Sequence, residues 1–189
     1  MACQTMTADK LLVIKFFKTK GIEARHFPKK SAGKQADFEL YLGSQIFGYC
    51  ELKSILDYKF SGLINDPTYN KVQSKIHQAA NQFRSVNPNH LNPNILFFIN
   101  HRERVGWQDL WYVLTGEVTP PDQRSEPIDT RYLSRLLRND DLAIVDYFIW
   151  ADTFGTNIKF FIVADSAFSA ELRGKISSKE YEKINIREL

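Results

Sequence analysis

Residues 9–21, "DKLLVIKFFKTKG", place apolar side chains at 11, 12, 13, 14, 16 and 17 with lysines between them. The spacing predicts a partly buried helix that begins near Asp9 and stops at Gly21. "IEARHFP" (22–28) alternates and ends at Pro28, which predicts a short strand. After a polar connection over 29–34, "ADFELYLGSQIFGYCELKS" (36–54) reads as a hairpin of two alternating strands, 36–42 and 46–54. Residues 60–88 start as a loop and become helical near Pro67, a residue suited to a first turn. Val72, Ile76, Ala79, Ala80 and Phe83 form the apolar stripe of that helix. "NILFFIN" (94–100) is a continuous apolar run, as expected of a strand covered on both faces.

Beyond it, "GWQDLWYVLTG" (106–116) predicts a helix and 117–127 a proline-containing polar loop. Residues 130–140 predict an amphipathic helix, 142–154 and 158–166 are strand-rich, and 167–176 predict a last helix. No internal repeat is visible. The order implies an α/β domain in which helices flank a mixed sheet. The proline loop is the one plausible boundary, but each side alone would be small, so a single domain is expected over 1–189. Its core would lie at about 9–104, with 105–189 completing the sheet.

Composition narrows the class. Apolar residues make up 43%, with 14 Phe, 8 Tyr and 3 Trp, which excludes a disordered chain. No apolar run approaches the ~20 residues of a membrane span, and the first ten residues lack the apolar stretch of a secretory signal. Cys3 and Cys50 are the two cysteines, so no disulfide framework is expected and a reducing cytoplasm is the expected location. The net charge of +3 is unevenly spread: residues 1–35 hold eight Lys/Arg against Asp9 and Glu23, and 67–104 hold five against Glu103. The segment between them, 36–66, is acidic, and so is 105–189. Such a gradient could orient a polyanion; scattered solvated charge would produce it equally well.

The hairpin sharpens the picture. Alternation puts Phe38, Leu40, Leu42, Cys50 and Leu52 on one face. Asp37, Glu39, Tyr41, Phe47, Tyr49, Glu51 and Lys53 share the other. A three-residue loop, Gly43-Ser44-Gln45, would pair Leu42 with Ile46 and set Asp37 directly opposite Glu51. Their Cβ atoms would then be ~4.5–5.5 Å apart, a repulsive arrangement unless a proton or a cation intervenes. Two carboxylates so placed can jointly offer oxygens to Mg²⁺. Lys53 projects from the same face ~7 Å further along, where it could serve a water or neutralise charge developing on a phosphate. A half-exposed hairpin without chemistry would show the same alternation; the opposed acids tip the reading toward a site.

Asp37, thirteen residues, then Glu51-Leu52-Lys53 on the next strand resembles the motif of the PD-(D/E)XK nuclease superfamily, which includes restriction endonucleases. The helix before the first strand, the apolar strand 94–100 after the next helix, and Gln78 on that helix also fit. The resemblance implies a restriction endonuclease-like mixed β-sheet flanked by helices and Mg²⁺-dependent or Mn²⁺-dependent hydrolysis of phosphodiesters. It implies that Asp37 and Glu51 bind the metal, that Lys53 serves the attacking water, and that Gln78 stands beside the site. DNA is the implied substrate, with RNA the alternative, and a homodimer would suit cleavage of both strands. The sequence departs from the pattern at Ala36, where proline is frequent. It departs again on the first helix, where many members carry a glutamate and residues 9–20 offer only Asp9 as an acid. Glu39 is a candidate substitute, though the same register sets it opposite Tyr49.

Around this motif, Lys71, Lys75, Gln78 and Gln82 share a helix face and could contact phosphates. Arg102 and Arg104 follow strand 94–100, at an end where ligands gather if that strand is parallel. Other chemistries lack their parts. The four histidines and two cysteines show no zinc spacing, no phosphate-binding glycine loop occurs, and His77 reads as a surface residue. Trp107, Trp111 and Trp150 read as core, with stacking of Trp107 on an unpaired base as the alternative. Sequence preference, if any, would come from loops 55–66 and 117–128. The competing functions are a nucleic-acid-binding protein of the same fold that cuts nothing, and an interaction domain using its acidic C-terminal half.

Overall fold

The computed structural model describes residues 7–27, 35–56, 68–118, 128–129, 139–154, 158–163, 166–176 and 182–184. Helix α1 (Ala8–Thr19) opens the chain, capped by Thr7, whose side chain accepts from the Lys10 amide. Gly21, with φ +70°, allows the sharp turn into β1 (Glu23–His26). The hairpin follows as β2 (Phe38–Leu42) and β3 (Gln45–Ile55), then α2 (Thr68–Val86), β4 (Asn94–Asn100) and α3 (Trp107–Thr115). A short ladder of β5 (Glu117–Val118) and β6 (Ile128–Asp129) ties off the ends of the proline loop. Then come α4 (Asn139–Leu142), β7 (Tyr147–Asp152), β8 (Ile158–Val163), α5 (Ser169–Lys175) and β9 (Glu182–Ile184). Two sequence readings were too coarse here: 142–154 contains a turn before its strand, and 117–127 begins in a ladder. The helix expected over 130–140 falls outside the described residues except for its last two positions.

Among the described residues, one sheet of seven strands runs β1-β2-β3-β4-β7-β8-β9. It is mixed: β1, β2 and β3 are antiparallel neighbours, β3, β4 and β7 are parallel, β7 and β8 antiparallel, and β8 and β9 parallel. Helices cover both faces. On one, Val13, Phe16 and Phe17 of α1 pack with Phe38, Leu40, Cys50, Leu52, Phe97 and Leu172. On the other, Val72, Ile76, Ala79 and Phe83 of α2 and Leu110 of α3 pack on Leu96, Phe98 and Trp150. β4, at the centre, has every residue buried, which is why its pattern shows no alternation.

The hairpin closes differently from the sequence expectation. Gln45 pairs with Leu42 and Ile46 with Tyr41, so the turn is the two-residue Gly43-Ser44, with φ +62° at Gly43 as a II′ turn requires. A bulge between Leu40 and Tyr41 then restores the expected pairing, Leu40 with Gly48, Glu39 with Tyr49 and Phe38 with Cys50. Phe47 is the extra residue. It turns into the α1 core rather than sharing the face of Glu51. At Gly48 a Cβ would stand 2.7 Å from the Pro93 carbonyl O, and that same oxygen accepts the Tyr49 amide at 2.9 Å. The turn before β4 can therefore seat against β3 only because residue 48 has no side chain.

Among the described residues, no helix is long and apolar enough to cross a membrane.

Candidate metal and phosphate site

Asp37 lies at the entry to β2, where its carbonyl accepts the Phe27 amide at 2.9 Å. Its Oδ2 accepts the main-chain N–H of Leu52, the residue after Glu51, at 3.2 Å. Its Oδ1 pairs with Lys10 Nζ at 3.0 Å, and Lys10 Nζ is also 2.7 Å from His26 Nε2. Glu51, in the middle of β3, is only 2% exposed. Its Oε1 accepts from Lys53 Nζ at 2.8 Å. Its Oε2 is buried without a hydrogen-bond partner. Lys53 Nζ donates in turn to Gln82 Oε1 at 2.9 Å, and Gln82 Nε2 donates to the carbonyl of Gln35 at 2.9 Å.

These surroundings work against ionisation. Burial, and then the charge of Asp37, push the Glu51 carboxyl from 4.5 up to about 7, although Lys53 and Gln82 pull the other way. A buried carboxylate beside a second acid, with one oxygen unserved, is a place where an added cation is stabilised.

The neighbouring surface has the opposite sign. A cleft of about 370 Å³ opens between the ends of β3 and β4 and the first turns of α2, lined among others by Ser54, Thr68, Lys71, Lys75, Gln78 and Arg102. The Lys75 ammonium is held below its usual range, first by burial and then by the charges of Lys53 and Lys71. Crowded cations favour an anion just as crowded carboxylates favour a cation. Lys53, bonded to Glu51 and felt by Lys75, stands between the two.

The structure thus brings Asp37, Glu51 and Lys53 together and sets Lys71, Lys75 and Arg102 along one adjoining cleft. Gln78 makes no hydrogen bond to either carboxylate: its amide donates to Ser74 Oγ at 3.3 Å, and it lines the cleft. Gln82, one turn on, is the helix glutamine that touches Lys53. Arg104 lines a separate pocket with Arg102, Glu103 and Phe154. β4 is parallel to both its neighbours, so Arg102 and Arg104 do follow its C-terminal end. Glu39 pairs with Tyr49 as the register predicts, and its carboxylate accepts from the Tyr41 hydroxyl at 3.0 Å. Asp9, the acid of α1, accepts from the hydroxyl of Ser54, a residue of the cleft wall, and lies 3.1 Å from His101 Nε2.

His77 binds Asp141 at 2.7 Å and so ties α2 to α4. Trp107 stands 6.2 Å from Phe161 in the core, with Lys159 Nζ over its ring. The loops expected to set specificity, 55–66 and 117–128, lie largely outside the described residues.

The sequence reading missed Lys10. Nothing in the local pattern separates it from Lys15, Lys18 or Lys20, and only the tertiary approach of α1 to Asp37 selects it.

Among the described residues, no three His, Cys, Asp or Glu side chains converge to hold a metal. A two-carboxylate set still suits Mg²⁺, which binds through one or two carboxylates and keeps water on its remaining positions. The orphaned Glu51 Oε2 is the atom that fits the ion. No family model, curated protein or solved structure matches this chain.

Proposed function

We propose that the protein is a metal-dependent nuclease of the restriction endonuclease-like fold, hydrolysing phosphodiester bonds, with DNA as the favoured substrate. The observation that carries this reading is the Glu51 carboxyl, buried beside Asp37 with one oxygen unpartnered and Lys53 bonded to the other. Asp37 and Glu51 would hold Mg²⁺ or Mn²⁺, and the bound ion would supply Lewis-acid polarisation of the phosphate and a more acidic water. The Lys53 ammonium, bonded to Glu51, orients the attacking water and offsets the negative charge developing on the phosphate; only its neutral form could take the proton of the water. Lys71, Lys75 and Arg102 hold neighbouring phosphates in the cleft, and Gln82 keeps the Lys53 ammonium at the carboxylate edge.

A second reading has its own support. Lys10 on Asp37 and Lys53 on Glu51 already give each acid an ammonium partner, a pairing that a nucleic-acid-binding protein without hydrolytic activity could keep. Incubation with plasmid, single-stranded DNA and RNA, in Mg²⁺, Mn²⁺ or EDTA, separates the two. Metal-dependent cutting that EDTA stops is the expected result. Binding with no cutting under any metal establishes the second reading, and neither binding nor cutting removes both.

A further inference from the structure

The chain leaves the sheet at the same edge after β4 and after β7, because these strands are parallel neighbours paired from Ile95 with Tyr147 to Asn100 with Asp152. One buried side chain ties the two exits together. The Asn100 amide nitrogen lies 3.0 Å from the Arg102 carbonyl, 2.6 Å from that of Val105 and 2.8 Å from Asp152 Oδ1. Its Oδ1 accepts the Arg102 amide at 3.0 Å. Its main-chain oxygen accepts both the amide and the hydroxyl of Thr153, at 2.9 and 3.0 Å. The segment bearing Arg102, Glu103 and Arg104 is thereby fixed beside Phe154.

Between them is a pocket of about 220 Å³ lined by these four residues. Phe154 is 53% exposed, so the core does not use its ring. Arg102 also lines the cleft of Lys71 and Lys75, so the two depressions share one wall residue.

We propose that this pocket takes one unpaired nucleobase of a single-stranded segment, stacked on Phe154, with Arg102 and Arg104 on the phosphates beside it. The proposal rests on reading the adjoining cleft as a phosphodiester site. Three features select this occupant. The pocket is smaller than the ~300–1,000 Å³ that encloses a drug-sized ligand and suits a single heterocycle. An exposed ring flanked by guanidinium groups is how sequence-tolerant sites hold single strands. In a duplex both faces of each base are covered by its neighbours, so a ring at the pocket wall can stack only on a base that has left the helix. Glu103 adds an acceptor for the exocyclic amino group of adenine, cytosine or guanine.

The test is fluorescence anisotropy in EDTA, comparing a labelled thymidine strand with an abasic strand of the same length. Wild type is expected to favour the base-bearing strand about tenfold. Phe154→Ala should lose that preference while still binding the abasic strand, and Phe154→Tyr should keep it. Arg104→Gln should weaken both strands alike. Equal affinity of wild type for the two strands, an unchanged preference in Phe154→Ala, or no binding to either strand overturns the proposal. A protein that shows the preference but cuts nothing with Mg²⁺ retires the nuclease reading and leaves the pocket standing. One that cuts yet ignores the bases retires the pocket alone.

Discussion

Two buried carboxylates in this molecule, Asp146 and Glu51, are treated in opposite ways. Asp146, 3% exposed, sits before β7 with both oxygens engaged. Oδ2 accepts the Asn94 amide at 2.8 Å and lies 2.7 Å from His90 Nε2, while Oδ1 accepts the Ser166 hydroxyl at 2.6 Å. Glu51 is as deeply buried, yet one of its oxygens accepts from Lys53 and the other has no hydrogen-bond partner. Asp146 joins the turn before β4, the start of β7 and the approach to α5, so its desolvation is offset by bonds that hold elements together. At Glu51 the cost is left partly unmet, which supports the proposed metal site over a structural clamp.

If the proposed nuclease reading holds, catalysis should separate the two acids most widely. Glu51→Gln and Asp37→Asn are each expected to lower Mg²⁺-dependent cleavage of supercoiled plasmid by about 10³-fold or more, and Lys53→Ala by about 10²-fold to 10³-fold. Asp146→Asn should cut at close to the wild-type rate wherever it remains folded. Initial rates measured below the melting temperature of each variant check this. A Glu51 variant with wild-type activity would remove that residue from the mechanism.

Stability should invert the ranking. Asp146→Ala leaves His90, the Asn94 amide and Ser166 without their common acceptor and is expected to cost about 3–5 kcal/mol. Glu51→Gln removes a buried charge and its repulsion from Asp37, so in EDTA it should stabilise by about 1–3 kcal/mol. Urea unfolding of the three proteins reads both. A Glu51→Gln variant as damaged as Asp146→Ala would mean that the carboxylate is a clamp after all.

The hairpin shows why this contrast was half legible in the sequence. The period-two pattern of Phe38, Leu40, Cys50 and Leu52 pins the register near Glu51, because a one-residue slip there would bury charge. The expected Glu39–Tyr49 pair is accordingly present. The turn end was not legible. A three-residue loop and a two-residue turn with a bulge deliver the same downstream register, and what decides between them is the Pro93 carbonyl pressed against Gly48, a contact from forty-five residues further on. Partners from other elements were hidden for the same reason. Lys10 and Gln82 reach the acids from α1 and α2, and Gln82 rather than Gln78 meets Lys53 because of how α2 is rotated on the sheet, which a shared helix face leaves undetermined. At the other acid, nothing local in "AIVDYF" indicates that Asp146 would gather three partners.

Acid–base behaviour sharpens the comparison further. The Glu51 carboxyl rises from 4.5 to about 7 on folding. A group that gains proton affinity on folding stabilises fully below its unfolded value and loses that contribution as pH climbs through its folded one. Metal-free wild type should therefore lose up to about 3 kcal/mol between pH 4.5 and 8 through Glu51. His90, raised by its bond to Asp146, acts with the same sign, its contribution complete below 6.5 and lost above. Glu51→Gln should flatten the acidic part of the profile, between about pH 5 and 7, and leave the His90 part. Denaturant midpoints across that range decide it, and an unchanged slope in Glu51→Gln would place the titrating group elsewhere.

The smallest effect concerns Lys75, the cationic counterpart of Glu51. Its ammonium is held down by burial and by Lys53 and Lys71, so its charged form is less favourable in the folded chain than in the unfolded one. At neutral pH, Lys75→Met should accordingly leave stability unchanged or raise it by about 0.5 kcal/mol. Binding should move the other way. If Lys75 meets a phosphate, removing it should weaken affinity a fewfold and lower the slope of log affinity against log salt by ~0.7 for single strands or ~0.9 for duplex. Stability and binding that shift in opposite directions are what a charge kept for a ligand produces, whereas a lysine that merely covers the α2 surface would alter neither. Titrations of the wild type and the variant at several salt concentrations distinguish these, and parallel salt plots would take Lys75 out of the phosphate cleft.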